Sequence, residues 1–172
     1  MLGFMPQSHA RPPQAVLCCR RTSPHAPAHS PGLAGGHTSG VSQSFHERRG
    51  WGAFRRVLAG LRELCPAAKP VVVRTSWLPG NILGECIRRR ARFVVRLNNQ
   101  MAQEQAIETL LHEWAHALAW NYSLDRLARE PGVSAQVFDA ASHDEAWGCA
   151  YSRVWRVYSG MAAGGGAGSR VA

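Results

Sequence analysis

Apolar positions along the chain fall into a few periodic runs separated by breakers. Phe54, Val57, Leu58, Leu61 and Leu64 recur at helical spacing and Pro66 ends the run, which predicts a helix near residues 51–64. PVVVRTSW (70–77) is rich in β-branched residues and runs into the turn signal LPGN, so it predicts a strand. GECIR (84–88) and RFVVRL (92–97) predict a hairpin. In its second arm Phe93, Val95 and Leu97 alternate with Arg92, Val94 and Arg96, so one face is buried and the other carries arginines. A long helix follows over about 102–120 and a last one over about 143–160. Between them, 121–141 is a poorly patterned connection broken by Pro131 and Gly132. A helix, three short strands and two helices, with no internal repeat, make an α+β fold around a small three-stranded sheet.

The flanks lack such patterning. Residues 1–45 contain no Asp or Glu and are interrupted at Pro6, Pro12, Pro13, Pro24, Pro27 and Pro31. They read as a disordered, low-complexity leader, in keeping with a transit peptide or with a start codon placed too far upstream. His9, His25, His29 and His37 are scattered there without metal-site spacing. From Met161, MAAGGGAGSRVA reads as a flexible tail, which leaves about 46–160 as the folded domain.

Composition sharpens the picture in two respects. The formal charge of +9 is uneven: residues 46–100 hold 12 Arg/Lys against 3 Asp/Glu, whereas 101–172 hold 5 against 8. The basic excess precedes the long helix and suits a polyanionic partner, DNA first, with Arg88, Arg89, Arg90 and Arg92 the densest group. The five cysteines (Cys18, Cys19, Cys65, Cys86, Cys149) are odd in number and form no CxxC, so neither a disulfide framework nor a zinc ribbon is expected. No apolar run has the roughly 18–20 residues a membrane span needs, and residues 1–17 lack a signal-peptide core. The expectation is a monomer in a reducing compartment, cytoplasmic or nucleoid-associated, with no membrane partner.

The candidate chemistry lies in LLHEWAHALAW, residues 110–120. Random placement of 8 His and 8 Glu would produce HExxH roughly 0.02 times per chain, so chance is a poor explanation. On a helical wheel His116 falls about 40° from His112 and Glu113 about 100° away, while Ile107, Leu110, Leu111, Trp114 and Leu118 cluster on the opposite side. Two imidazoles at i and i+4 reach one zinc ion. The glutamate between them, displaced from that axis, is placed as a general base and not as a ligand. A catalytic zinc takes a third protein ligand. The metzincin pattern would need Gly and His where this chain has Ala119 and Tyr122, so the candidates are His143, Asp144 and Glu145 in ASHDEAWG. Ser142 and Glu145 form an S-x-x-E capping box; Glu145 would then fold back on the Ser142 amide and leave His143, at the first helical position, as the ligand. Glu145 as ligand would instead make a gluzincin-like site.

HEWAHAL followed by SHDEAWG resembles the SprT-like (Spartan-type) zinc metallopeptidases, in which an HExxH helix is followed by a histidine and, a few residues on, an aromatic. His112, Glu113, His116, His143 and Trp147 match that pattern, and RFVVRLNNQ with TLL resembles the last strand and the start of the active-site helix. The resemblance covers about 46–160 and implies a zincin-like fold, one Zn2+ on His112, His116 and His143, Glu113 as base, and endopeptidase activity on DNA-associated proteins. The chain departs from many such proteins in having no cysteine-rich ribbon after the domain. In this reading strand 92–97 aligns an extended peptide substrate along its edge, and Tyr122 or Tyr151 assists the oxyanion. The competing reading is a non-catalytic, basic nucleic-acid-binding or regulatory domain with a structural zinc.

Overall fold

The structure, a computed structural model, describes residues 16–20 and 51–164. In chain order the elements are β1 (Val16–Arg20), α1 (Gly52–Leu64), β2 (Val71–Ser76), β3 (Ile82–Arg88), β4 (Phe93–Asn98), α2 (Gln103–Ala119), α3 (Tyr122–Leu127), α4 (Ala135–Ser142) and α5 (Glu145–Gly164). No helix among the described residues is long and apolar enough to cross a membrane.

Alternation along β4 builds the sheet's inner face. Phe93, Val95 and Leu97 are all but completely buried, and across the antiparallel hairpin they stand opposite Arg88, Cys86 and Gly84 of β3. β2 joins the other side of β4 in parallel, Val71 opposite Phe93 through Ser76 opposite Asn98. The three expected strands therefore form a mixed sheet. A fourth strand, β1, adds antiparallel to the far edge of β3, giving the order β1-β3-β4-β2. It lies inside the stretch read as disordered leader; the rest of 1–45 and residues 46–50 lie outside the described residues. The turn after β2 uses Gly80 at φ 63° and is closed by Asn98, whose Nδ2 donates to the Leu78 and Ile82 carbonyls at 3.3 and 3.0 Å.

β4 cannot present an edge to a substrate, as the strand assignment alone suggested. It is hydrogen-bonded to β3 on one side and β2 on the other, so its backbone groups are already used.

α2 lies across β3 and β4 with α1 and α5 on its other sides, so it is enclosed almost all round. Ile107, Leu110, Leu111 and Trp114 fill the core, and the Trp114 indole N–H donates to the Cys65 carbonyl at 2.8 Å, tying α2 to the end of α1. α1 buries Phe54, Val57 and Leu61 at the predicted spacing, each contributing roughly 1.5–3 kcal/mol by leaving water.

Three expectations about the C-terminal half need correction. The stretch 121–141 holds two short helices. Asn121 caps α3 by accepting from the Leu124 amide at 3.0 Å, and Ser134 caps α4 by accepting from the Val137 amide at 3.3 Å. Their apolar faces are too short to register as periodicity: Leu124 is the buried residue of α3, Phe138 and Ser142 those of α4. The supposed capping box does not form. Ser142 ends α4 and its hydroxyl donates to the Asp139 carbonyl at 2.7 Å; Asp144 caps α5 instead, accepting from the Trp147 amide at 3.0 Å. Finally, α5 continues through the supposed tail to Gly164, with Met161 packed over Gly60 of α1. Residues 165–172 lie outside the described residues.

Candidate metal centre

α2 supplies two histidines of the group from one face. His112 and His116 are one turn apart, and their Nε2 atoms lie 3.1 Å from each other. His143 arrives from the junction of α4 and α5, where it caps the C-terminus of α4, and places its Nε2 3.2 Å from that of His112. Zinc with Zn–N bonds of about 2.0–2.1 Å in tetrahedral geometry holds neighbouring nitrogens about 3.3 Å apart. The imidazole spacing matches that edge, and the three side chains form a group able to hold a metal ion, with ligand atoms within 4.8 Å of one another.

The tautomer of His143 follows from its other nitrogen. Nδ1 lies 2.8 Å from the Asp139 carbonyl, which can only accept, so Nδ1 carries a proton and Nε2 is the nitrogen turned to the site. That carbonyl is delivered by the last turn of α4, a helix the hydrophobic pattern missed. Burial pushes His112 down to about 4, helped by the charge of His143. It pushes His116 down to about 2; His112 and His143 add to this, and the Ser142 backbone pulls weakly the other way. Both rings are therefore neutral near pH 7, as metal ligation requires.

Glu113 is fully buried, lies against β3 at Gly84 and is not one of the three-histidine group. Gly84 makes room for it: a Cβ there would stand 3.1 Å from Glu113 Cγ and 3.2 Å from its Oε1. The Cys86 thiol, also buried, is pushed well up, first by desolvation and then by the nearby charges of Glu113 and Glu85.

Trp147, one turn into α5, forms a wall of the site. Its ring centroid lies 4.9 Å from His112, 4.7 Å from His143 and 5.6 Å from His116, and it stacks on Tyr151 at 5.0 Å. Its indole N–H is buried and has no hydrogen-bond partner among the described residues. Tyr151 lies 6.3 Å from His112, whereas Tyr122 projects into solvent at the start of α3. Of the two tyrosines, Tyr151 is thus the one beside the site. Glu145 is exposed on the first turn of α5 and is not part of the metal-binding group.

The four arginines separate. Arg88 is largely buried: it pairs with Asp125 at 3.8 Å, donates to the Arg89 and Arg90 carbonyls and lies over the Phe93 ring. It braces α3 against the hairpin. Arg89 is partly buried, and Arg90 and Arg92 are exposed at the hairpin turn. Sequence reasoning also missed the capping role of Asp144 and the place of Gly84 against Glu113. An aspartate just before an apolar helical run was the available signal for the first; for the second, no local pattern marks a glycine that faces a carboxylate across the core. The chain matches no protein-family model, no curated protein and no solved structure.

Proposed function

We propose that this chain is a zinc-dependent endopeptidase with a zincin-like, SprT-like active site. The observation that carries the reading is the convergence of three imidazoles beside a buried carboxylate that is not one of the ligating group. A structural zinc usually takes four protein ligands and has no use for such a carboxylate; among the described residues the group holds three. His112, His116 and His143 would hold the ion. A bound zinc supplies Lewis acidity and makes a water acidic enough to lose a proton near neutral pH. Glu113, held in place against Gly84, takes that proton and passes it to the leaving amine. Trp147 and Tyr151 close one wall and limit water around the ligands. DNA-associated proteins are the proposed substrates, with Arg90 and Arg92 as the exposed cations that would meet phosphate.

The test is metal content and hydrolysis of an unfolded protein substrate, with and without single-stranded DNA, for wild type and Glu113→Gln. Wild type should bind one zinc and cleave; Glu113→Gln should keep the zinc and lose cleavage by about a hundredfold or more. Wild type that binds zinc and cleaves nothing in either condition would leave the nucleic-acid-binding reading in its place.

A further inference from the structure

We propose that the outer edge of β3 is an acceptor for an extended peptide strand and that the chain's own Val16–Arg20 occupies it, closing the site against other peptides. This rests on the peptidase reading for what the site does, but the docking of a strand can be measured without it.

Sheet topology selects this edge. Among the described strands β4 lies between β3 and β2, whereas β3, the strand next to Glu113, has β4 on one side and on the other β1, which comes from far earlier in the chain. β1 fills this edge, running antiparallel with Val16 opposite Ile87, Leu17 opposite Cys86, Cys18 opposite Glu85 and Cys19 opposite Gly84. Gly84 is the residue whose missing side chain admits Glu113. At that point the register of β1 slips, between Cys19 and Arg20. β1 also touches α2 and α4, the helices that carry His112, Glu113 and His116 and that end at His143. A strand laid there runs along the margin of the metal centre, one strand spacing from β3, about 4.8 Å. Backbone pairing of this kind needs no particular side-chain sequence, so a foreign peptide and the chain's own segment compete for the same amides. The tethered segment competes at an effective concentration of order millimolar and suppresses a weakly bound peptide about tenfold or more.

The full chain bearing Cys18→Pro with Cys19→Pro removes the two adjacent amides, one of which must point to β3 whatever the pairing parity. The β3 amides of residues 82–88 should then exchange with deuterium about tenfold faster than in wild type. A synthetic peptide of residues 13–23, with both cysteines replaced by serine, should restore that protection. Hydrolysis of an unfolded protein should rise about tenfold in the variant and fall again with the peptide. If β3 exchange is unchanged and the peptide protects nothing, the proposal is wrong, whatever the activity. If β3 responds as expected while neither protein cleaves, the strand site stands and the peptidase reading fails. Should the proline pair unfold the chain, Val16→Gly with Leu17→Gly weakens the strand by propensity alone. Loss of the cooperative melt there too would make β1 a structural strand and overturn the proposal.

Discussion

Replacing Gly84 with alanine probes the contact between β3 and α2 directly. An added Cβ would lie 2.6 Å from Thr109 Cγ2, against an ordinary carbon–carbon separation of about 3.5–4.0 Å. Thr109 cannot simply turn away, because its hydroxyl donates to the Gln105 carbonyl at 2.8 Å and it is buried. Relief requires breaking that bond, worth about 1 kcal/mol, or moving β3 off α2. Overpacking of this kind costs about 1–3 kcal/mol. At about 4 °C per kcal/mol for a domain of this size, the melting midpoint of Gly84→Ala should fall by about 4–12 °C. The same Cβ crowds Glu113 at 3.1 and 3.2 Å, so hydrolysis should drop about tenfold even well below the melt. Thr109→Ser removes the methyl that collides. The double variant should therefore be more stable than the sum of the singles by about 1 kcal/mol, while hydrolysis stays low because the contact with Glu113 remains. Thermal melts and urea titrations of the four proteins measure the coupling. A Gly84→Ala midpoint within about 1 °C of wild type, or a coupling of zero, would refute this close approach of β3 to α2.

Other consequences are sharper in sign than in size. His143→Ala should lose the metal, whereas Glu145→Ala should retain it; metal content after dialysis separates them, and the reverse pattern would make Glu145 the ligand. With chelator present, stability should be highest above the ordinary histidine value of about 6.5 and decline as the pH falls. Below 6.5 the unfolded chain takes protons that folded His112 and His116 refuse until about 4 and about 2. The slope is up to about 1.4 kcal/mol per pH unit for each ring, and a flat denaturation profile between pH 7 and 4.5 would contradict the buried, neutral imidazoles. Arg90→Ala with Arg92→Ala should weaken single-stranded DNA binding and reduce its salt dependence by about two phosphates without moving the melt. Arg88→Ala should instead lower the melt, because that side chain braces α3 through Asp125.

Where the chain carries a long periodic signal, reading it locally was enough. Helices α1, α2 and α5, the hairpin of β3 and β4 and the buried face of β4 all follow from spacing, because each buries a stripe or a face wide enough to be seen in the sequence. HExxH likewise placed two ring nitrogens together, since i and i+4 on one helix are neighbours by geometry. The capping box that singles out His143 in the sequence does not form, yet His143 meets the other two histidines. What brings it there is α4, whose last turn presents the Asp139 carbonyl to Nδ1. α4 was invisible because two buried side chains make no period.

Contacts between elements far apart in sequence decided the rest. The helical wheel put the histidines opposite the core face of α2, but enclosure between the sheet and α5 buries His116 and Glu113 as deeply as the leucines. Strand order is also a tertiary property. Apolar alternation says which face of β4 is buried but not which strands flank it; packing sets β2 and β3 beside β4, and β1 on the far side of β3. Composition made residues 1–45 look structureless, yet a five-residue run of them is a strand once a partner edge offers its backbone groups. The residues able to bind a metal were written in the sequence. Their burial, their tautomer and the strand laid beside them exist only when the elements pack.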